Sequence, residues 1–244
     1  MLKEFEIPET TDPRLTRFCP ICGHFISEFK PFGVKKRPDA KCPDCGTFER
    51  YRLLYLYLTQ ETDFFEKEHA VLDIGPLTGF SRLCQSFPDL KYLSIDLASS
   101  RAMVKMNLCQ MGIPGGSMDY VICYHVLEHV DDDRNALAEI KRVLKPSGKA
   151  ILQVPLDIDS PKTIYDSSTT VADREKVYGQ RDHLRRYGGD FREIVESAGF
   201  QVRRIRYIDH FTEAQQILMG LKDIYELSLY RTCEDIFVAQ KPPF

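Results

Sequence analysis

Two cysteine pairs near the start of the chain constrain its fold most strongly. The first pair lies in Cys19-Pro20-Ile21-Cys22-Gly23 and the second in Cys42-Pro43-Asp44-Cys45-Gly46. Nineteen residues separate Cys22 from Cys42. A two-residue gap lets both sulfurs of a pair point at one centre, and the glycine permits the turn. Because four thiolates leave no open position for water or substrate, the pattern predicts a structural zinc site rather than a catalytic one. The predicted zinc ligands are Cys19, Cys22, Cys42 and Cys45.

A redox role for these cysteines is the alternative. It would need a thioredoxin-like βαβ unit around one pair and would not need a second pair. After Thr47, apolar side chains recur at helical spacing, at Tyr51, Leu54, Tyr55 and Leu58. We therefore expect residues 1–60 to form a zinc-binding knuckle with a connecting helix, and residues 61–244 to form the main domain.

The main domain opens with a strand, a glycine turn and a helix. The apolar run 70–74 stops at Gly75-Pro76, and a second apolar run stops at Asp96 about 20 residues later. This order is typical of a nucleotide-binding βαβ unit, in which the carboxylate binds ribose hydroxyls. Pro76 has no N–H to offer a diphosphate, so the turn favours a ligand without one. A tight turn with a surface Asp that caps the next helix remains the alternative.

Strands and helices alternate through the rest of the chain. The sequence predicts a short strand near residues 103–108, further strands at 118–124, 149–155, 200–208 and 235–239, and a helical piece that ends near residue 230. Asp131-Asp132-Asp133 is expected to open a helix, and Asp190 to cap another. Between them, the polar stretch 156–187 is long for a compact domain and predicts a lid-like segment.

Charge and hydropathy disfavour nucleic acid and membranes as partners. The net charge of -3 over 244 residues gives no global basic field for nucleic acid. Residues 1–60 carry ten Lys and Arg against eight Asp and Glu, which is a small excess for binding phosphates. The sequence contains no apolar run of membrane-spanning length and no leader-like N-terminus, so we expect a cytoplasmic protein that does not enter membranes.

Four segments taken together resemble the class I S-adenosylmethionine-dependent methyltransferases. They are Val71 to Gly75, Ser94 to Asp96, Met118 to Val130 and Arg142 to Leu152. The resemblance implies an α/β fold, with a Rossmann-like seven-stranded sheet whose last strand is antiparallel and a small N-terminal zinc-ribbon-like module. It also implies that S-adenosylmethionine lies across the carboxyl ends of the strands.

The same resemblance implies where the cofactor contacts the chain. The turn from Asp73 to Gly79 would face the methionine, Asp96 with its neighbour Leu97 would hold the ribose, and Asn107 and Leu108 would lie along the adenine. Tyr124 and His125 would flank the sulfonium, which an aromatic neighbour stabilises. The implied cofactor-binding residues are Asp73, Gly75, Gly79, Asp96, Leu97, Asn107, Leu108, Tyr124 and His125.

Candidate catalytic residues follow from the chemistry of methyl transfer. An oxygen or nitrogen nucleophile can need a base, and neutral imidazole suits that task, so His129 and His183 are candidates. Tyr187 is a candidate for orienting the acceptor. Their alternatives are a packing or capping residue for His129, a salt-bridged loop residue for His183 and a core residue for Tyr187. Arg181, Arg185 and Arg186 could bind an anionic group or form a solvated face.

We therefore expect a methyltransferase that acts on an oxygen or nitrogen atom of a small-molecule or glycan-type acceptor. An RNA methyltransferase that grips its substrate with the zinc knuckle is one alternative. A non-catalytic protein that binds zinc and cofactor is another. The sparse glycines disfavour an NAD enzyme.

Overall fold

The N-terminal module consists of short strands followed by one long helix. The computed structural model describes residues 6–33, 36–157, 159–222 and 235–243. Within them, β1 pairs with β2 and β3 pairs with β4, both antiparallel. The helix α1 begins where the sequence predicts and buries Tyr51, Leu54 and Leu58. The elements of the module are β1 Arg17–Cys19, β2 His24–Ile26, β3 Lys30–Phe32, β4 Arg37–Lys41 and α1 Glu49–Glu61.

A seven-stranded sheet forms the centre of the main domain, as the family resemblance implies. Its strands are β5 His69–Ile74, β6 Leu90–Asp96, β7 Val104–Lys105, β8 Met118–Tyr124, β9 Leu144–Gln153, β10 Gln201–Arg206 and β11 Asp235–Gln240. The strands lie in the order β10-β11-β9-β8-β5-β6-β7. The five strands β5 to β9 pair parallel, and β11 is antiparallel to both of its neighbours. The carboxyl ends of β5, β6 and β8 therefore meet at one edge.

Helices connect the strands and cover the sheet. They are α2 Thr78–Gln85, α3 Asp133–Val143, α4 Val171–Tyr178, α5 Phe191–Ser197 and α6 Glu213–Met219, with 3-10 turns at Leu127–His129 and Tyr207–His210. The predicted acidic start of α3 is confirmed, because the Asp132 side chain accepts a hydrogen bond from the N–H of Asn135. Its buried face consists of Ala136, Leu137, Ile140 and Val143.

Three local predictions need correction or fall outside the described chain. β9 begins at Leu144, five residues before the predicted strand, because the chain enters the sheet directly from α3. Asp190 precedes α5, but its side chain makes no cap; its Oδ1 accepts instead from the N–H and hydroxyl of Thr163. Of the helical piece predicted to end near residue 230, the structure describes α6, and residues 223–234 lie outside the described part.

The module and the sheet share one hydrophobic core. Phe18, Leu54, Val71 and Phe80 belong to the same cluster of buried side chains, which fills the space between α1 and one face of the sheet. A second cluster, which includes Leu137, covers the opposite face. Burying a side chain such as Leu54 completely contributes roughly 2 kcal/mol. The module is therefore packed against the sheet through α1.

Buried Arg52 fastens the module to the far end of the chain. Its guanidinium donates to the carbonyl oxygens of Ala40, at 3.1 Å, and Gly220, at 2.6 Å. It also lies 3.9 Å from the ring centroid of Phe29. These carbonyl groups and the aromatic face compensate for the loss of water around the buried charge. None of the described helices has the length and apolar character needed to cross a bilayer.

Candidate functional site

The four cysteines of the two pairs converge on one point, as the spacing predicts. Cys19 Sγ lies 3.6 Å from Cys45 Sγ, and Cys22 Sγ lies 3.9 Å from Cys42 Sγ. Sulfurs bound to one tetrahedral zinc at about 2.3 Å would be separated by about 3.8 Å. Hydrogen bonds among the four thiols lower the pKa of Cys42 and Cys45 and raise the pKa of Cys19 and Cys22. The donor set and its spacing fit zinc.

The glycine turn after β5 has no room for a side chain. Gly75 has a φ of +68°, and its N–H donates to the carbonyl oxygen of Ile95 at 2.9 Å. A Cβ at Gly75 would lie 2.6 Å from Val126 Cγ2 and 4.0 Å from Asp96 Oδ2. The turn therefore packs between the ends of β6 and β8 at the carboxyl edge of the sheet, where the sequence predicts a ligand.

Asp96 keeps one carboxylate oxygen available at this edge. Its Oδ1 accepts hydrogen bonds from the N–H groups of Ala98, at 2.8 Å, and Ser99, at 2.7 Å. These bonds fix the side chain at the end of β6. Within the described part of the chain, its Oδ2 accepts no hydrogen bond. An oriented carboxylate with one free oxygen is what a ribose diol would need.

Asp73 lies beneath the turn and is fully buried. Its Oδ2 accepts a hydrogen bond from the Tyr92 hydroxyl at 2.6 Å, and the Tyr92 and Ser81 hydroxyls are in turn 2.8 Å apart. Burial raises the pKa of Asp73 to about 7, although the bond from Tyr92 opposes the shift. Its Oδ1 is buried without a hydrogen-bond partner among the described residues. Asp73 therefore anchors α2 through Tyr92 and leaves one acceptor unused.

The remaining predicted cofactor residues occupy different surroundings. Leu97 is 69% exposed beside Asp96, whereas Leu108 is buried in the core. Asn107 Oδ1 accepts from the N–H of Cys109 and closes the loop after β7. Tyr124 is buried with its ring 5.6 Å from that of Tyr51 on α1, so it packs toward the module.

Gly79 contacts the cysteine cluster. It lies in the first turn of α2, where an added Cβ would overlap the carbonyl oxygen of Cys45 and lie 2.7 Å from Thr47 Cγ2. Its missing side chain lets the module approach the helix closely. The structure therefore gives Gly79 a packing contact that the sequence does not predict.

His125 adopts a strained backbone conformation immediately after β8. Its φ is +56°, in the left-handed region that residues other than glycine seldom occupy, and its N–H donates to the Gln153 carbonyl oxygen. Burial lowers the pKa of His125, and the charge of Arg50 adds to the shift. Its Nε2 is buried and has no hydrogen-bond partner in the described part of the chain. Such strain is common where a site fixes a side chain.

Three histidines lie close to Glu128 at the 3-10 turn. Its Oε1 lies 3.4 Å from His125 Nδ1 and 4.0 Å from His129 Nε2. The ring of His183 comes from the polar stretch 156–187 and lies 4.8 Å from that of His129. Burial would raise the pKa of Glu128, but the histidines, His125 foremost, hold it below its ordinary value. The structure thus brings His129 and His183 together with an acid.

Tyr187 and the nearby arginines form a network of their own. The Tyr187 hydroxyl donates to Asp133 Oδ2 at 2.7 Å, and Arg185 pairs with the same carboxylate at 2.5 Å. Arg186 pairs with Asp157 at 3.2 Å. Tyr187 is fully buried. Two of the three arginines that could bind an anionic group are therefore neutralised by carboxylates of the chain itself.

Comparisons with known proteins identify the segment that holds this site. Residues 72–152 match the model of a methyltransferase domain family. Over this segment the chain carries a methyltransferase domain. The match spans β5 to β9 and therefore includes the glycine turn, Asp96, His125 and Glu128. Among curated proteins, none matches the sequence.

Solved structures resemble the methyltransferase domain in fold. A SAM-dependent methyltransferase from Archaeoglobus fulgidus has a TM-score of 0.51 at 18% identity, covering 79% of this chain and 94% of that one. The YcgJ protein from Bacillus subtilis has a TM-score of 0.51 at 16% identity, covering 79% and 99%. The cyclase SpnF has a TM-score of 0.55 at 13% identity, covering 91% and 90%. At such low identity the likeness shows the fold alone.

The residues of the methyltransferase domain fit S-adenosylmethionine. Gly75 has no space for a Cβ, Asp96 offers a free carboxylate oxygen, and Asp73 has a buried acceptor without a partner. In addition, S-adenosylmethionine has no diphosphate, so it does not need the backbone N–H that Pro76 lacks. When bound, the cofactor supplies an electrophilic methyl group.

Sequence reasoning missed two residues near the site. Glu128 stands three residues after His125 and directly before His129, a spacing that brings all three to one turn and could have revealed it. Arg50 has no such signal. Its charge contributes to the lowered pKa of His125 because α1 packs against β8, where the rings of Tyr51 and Tyr124 lie 5.6 Å apart.

Proposed function

We propose that the methyltransferase acts on an oxygen or nitrogen atom of a small-molecule or glycan-type acceptor. The observation that carries the proposal is that acidic side chains neutralise basic side chains of the N-terminal module. The module is therefore poorly suited to binding RNA. Arg37 pairs with Glu49 at 2.6 Å, and Arg17 pairs with Asp39 at 3.4 Å. Arg52 is buried among carbonyl groups. Binding a polyanion would require breaking such pairs.

The site proposed for the acceptor supports the same conclusion. Residues of the polar stretch 156–187 cover the 3-10 turn: the N–H of Leu184 donates to the Glu128 carbonyl oxygen at 2.8 Å. Arg185 also donates to the carbonyl oxygen of Asp131 at 2.7 Å. These hydrogen bonds hold the segment against the 3-10 turn and limit the space beside Glu128. The limited space favours a compact acceptor over a folded RNA.

In the proposed reaction, the chain orients two reactants and excludes water. Asp96 would hold the ribose, and the Gly75 turn would let the methionine end approach the backbone. The acceptor atom would lie near His125 and Glu128, in line with the methyl group. Such alignment can supply most of the catalysis in a methyl displacement. His129 and His183 remain the predicted groups for activating the acceptor.

We also propose that zinc occupies the cysteine cluster and stabilises the module. Four thiolates complete the coordination of the metal, so it would take no part in the chemistry. The sulfur separations support this assignment. The boundary near residue 60 would then separate a metal-stabilised unit from the methyltransferase domain.

A labelling experiment tests the acceptor class. The purified chain is incubated with methyl-labelled S-adenosylmethionine and separate pools of small metabolites, oligosaccharides and RNA. Label in the metabolite or oligosaccharide pool, absent with an Asp96→Asn variant, is the expected result. Label confined to RNA, together with salt-dependent retention of RNA, would favour the RNA methyltransferase instead. Cofactor binding without transfer to any pool would favour the non-catalytic alternative.

A further inference from the structure

The carboxylate of Glu128 is buried without a hydrogen bond. The residue is 1% exposed, and neither carboxylate oxygen has a hydrogen-bond partner among the described residues. Two imidazole nitrogens lie near it. His125 Nδ1 is 3.4 Å from Oε1, and His129 Nε2 is 4.0 Å from the same oxygen. An ionised carboxylate removed from water is strongly unfavourable unless a cation lies against it, and neutral imidazoles carry no such charge. This position therefore calls for a cation.

Two of the surrounding histidines are held in the orientation that metal binding requires. His129 Nδ1 lies 3.1 Å from the carbonyl oxygen of Asp182, and His183 Nδ1 lies 3.1 Å from that of Tyr178. Because a carbonyl oxygen can only accept, each Nδ1 carries the proton in these bonds. The Nε2 atom of each neutral ring is left with a lone pair. Hydrogen bonds of this kind orient metal-binding histidines and fix their tautomer.

We propose that Glu128, His129 and His183 form a binding site for a divalent first-row transition metal, separate from the cysteine cluster. Their three ligand atoms lie within 4.8 Å of one another. Ligands about 2.1 Å from one ion are separated by about 3 to 4 Å, so small side-chain rotations complete the site. Two imidazoles and one carboxylate suit manganese, iron, cobalt, nickel or zinc, and they leave open positions for a further ligand.

The location of this site gives the metal a function, which rests on the proposed methyl transfer. Val126 connects the glycine turn to the 3-10 turn, because its side chain packs against Gly75 while Glu128 follows two residues later. An acceptor hydroxyl bound at an open position would lose its proton to solvent more readily, so His129 and His183 would activate it through the metal rather than as bases. Its oxygen would then form the new bond to the methyl group, while the carbon–sulfur bond breaks and its electron pair stays on sulfur. The site thus favours an oxygen acceptor.

Manganese binding tests the site directly. The full chain is dialysed against a chelator, its zinc content is checked, and Mn²⁺ is titrated while free Mn²⁺ is followed by electron paramagnetic resonance. We expect about one Mn²⁺ per chain and a metal-dependent rise in melting temperature. Glu128→Gln and His183→Asn should each weaken binding at least about tenfold. His210→Asn, which changes a histidine outside the cluster, should bind as the wild type does.

Equal Mn²⁺ binding in the wild type and both variants, or no binding in the wild type, would overturn the proposal. If Glu128→Gln does not fold, His129→Asn replaces it, since that side chain is 34% exposed. A parallel titration with S-adenosylhomocysteine separates the two proposals. Cofactor binding without Mn²⁺ binding would remove the metal site alone, whereas Mn²⁺ binding without cofactor binding would remove the proposed function alone.

Discussion

Gly79 and Cys45 lie in direct contact, so the helix that follows the glycine turn rests on the cysteine cluster. A Cβ on Gly79 would overlap the carbonyl oxygen of Cys45. The Cys45 thiol in turn lies 2.9 Å from the hydroxyl of Thr47, and the methyl group of Thr47 faces the same glycine. The N-terminal module is therefore a support for the turn at which the methyl donor is expected to bind.

Replacement of Gly79 by alanine should destabilise the protein. The new methyl group has no space, and forcing extra atoms into a packed contact costs about 1–3 kcal/mol. Denaturation with urea measures the loss. Gly112→Ala is the matched control, because a Cβ there meets no atom within 4 Å. Equal stability of the two variants would mean that the module is not pressed against α2.

Loss of the metal from the cysteine cluster should weaken cofactor binding from a distance. Cys45→Ser removes one ligand next to Gly79, so we expect the variant to lose zinc, to melt at a lower temperature and to bind S-adenosylhomocysteine less tightly. Elemental analysis and calorimetry measure these effects. Cys109→Ser changes a cysteine outside the cluster and should leave all three unchanged. Full cofactor affinity in a zinc-free Cys45→Ser variant would contradict the supporting role.

Burial of Asp73 should make stability fall as the pH rises. The pKa of Asp73 is raised from 3.8 to about 7, so the folded state keeps this proton longer than the unfolded chain does. Its contribution to stability is present below pH about 4 and is lost as the pH rises through 7. As the pH rises from about 4 to about 7, the free energy of unfolding of Asp73→Asn should therefore increase by as much as about 4 kcal/mol relative to that of the wild type.

Unfolding by urea at several pH values tests this prediction. Asp209→Asn, which changes a carboxylate that is 63% exposed, should follow the wild-type profile. A constant difference between Asp73→Asn and the wild type across the window would show that Asp73 does not hold its proton in the folded state.

Tyr187→Phe should affect stability and leave cofactor binding unchanged. Its hydroxyl bonds to Asp133 in the core, so its removal should cost about 1 kcal/mol. Tyr165→Phe, at a residue that is 57% exposed, is the control and should retain its stability. Thermal melting and calorimetry provide the measurements. Unchanged stability combined with lost methyl transfer would instead support the catalytic role that the sequence predicts for Tyr187.

The pattern of the sequence predicts the sheet well because that pattern reflects burial. The apolar run of β8 is fixed by its position between two parallel neighbours, and the antiparallel last strand follows from the family resemblance. The start of β9 was predicted too late because the Lys145-Pro146-Ser147-Gly148 stretch has turn-forming residues. In the structure, these residues belong to the strand, with Ser147 in a left-handed conformation.

The site was less predictable because long-range contacts decide it. Nothing local in the sequence indicates that His183 reaches Glu128 across fifty-five positions, or that Asp190 bonds Thr163 rather than its own helix. The four cysteines are the opposite case, since their ligand geometry is already set by spacing within each pair. Arg185 also depends on a distant residue, Asp133, which neutralises it.

The most direct test of the central claim is the affinity for S-adenosylhomocysteine of wild type and Asp96→Asn, measured by calorimetry. The asparagine can keep the bonds from Ala98 and Ser99 through its carbonyl oxygen, but it replaces the free acceptor Oδ2 with a donor. We predict micromolar binding by the wild type and by Asp89→Ala, and binding at least about tenfold weaker by Asp96→Asn. Absence of binding to folded wild-type protein, or equal binding by all three, would contradict the account.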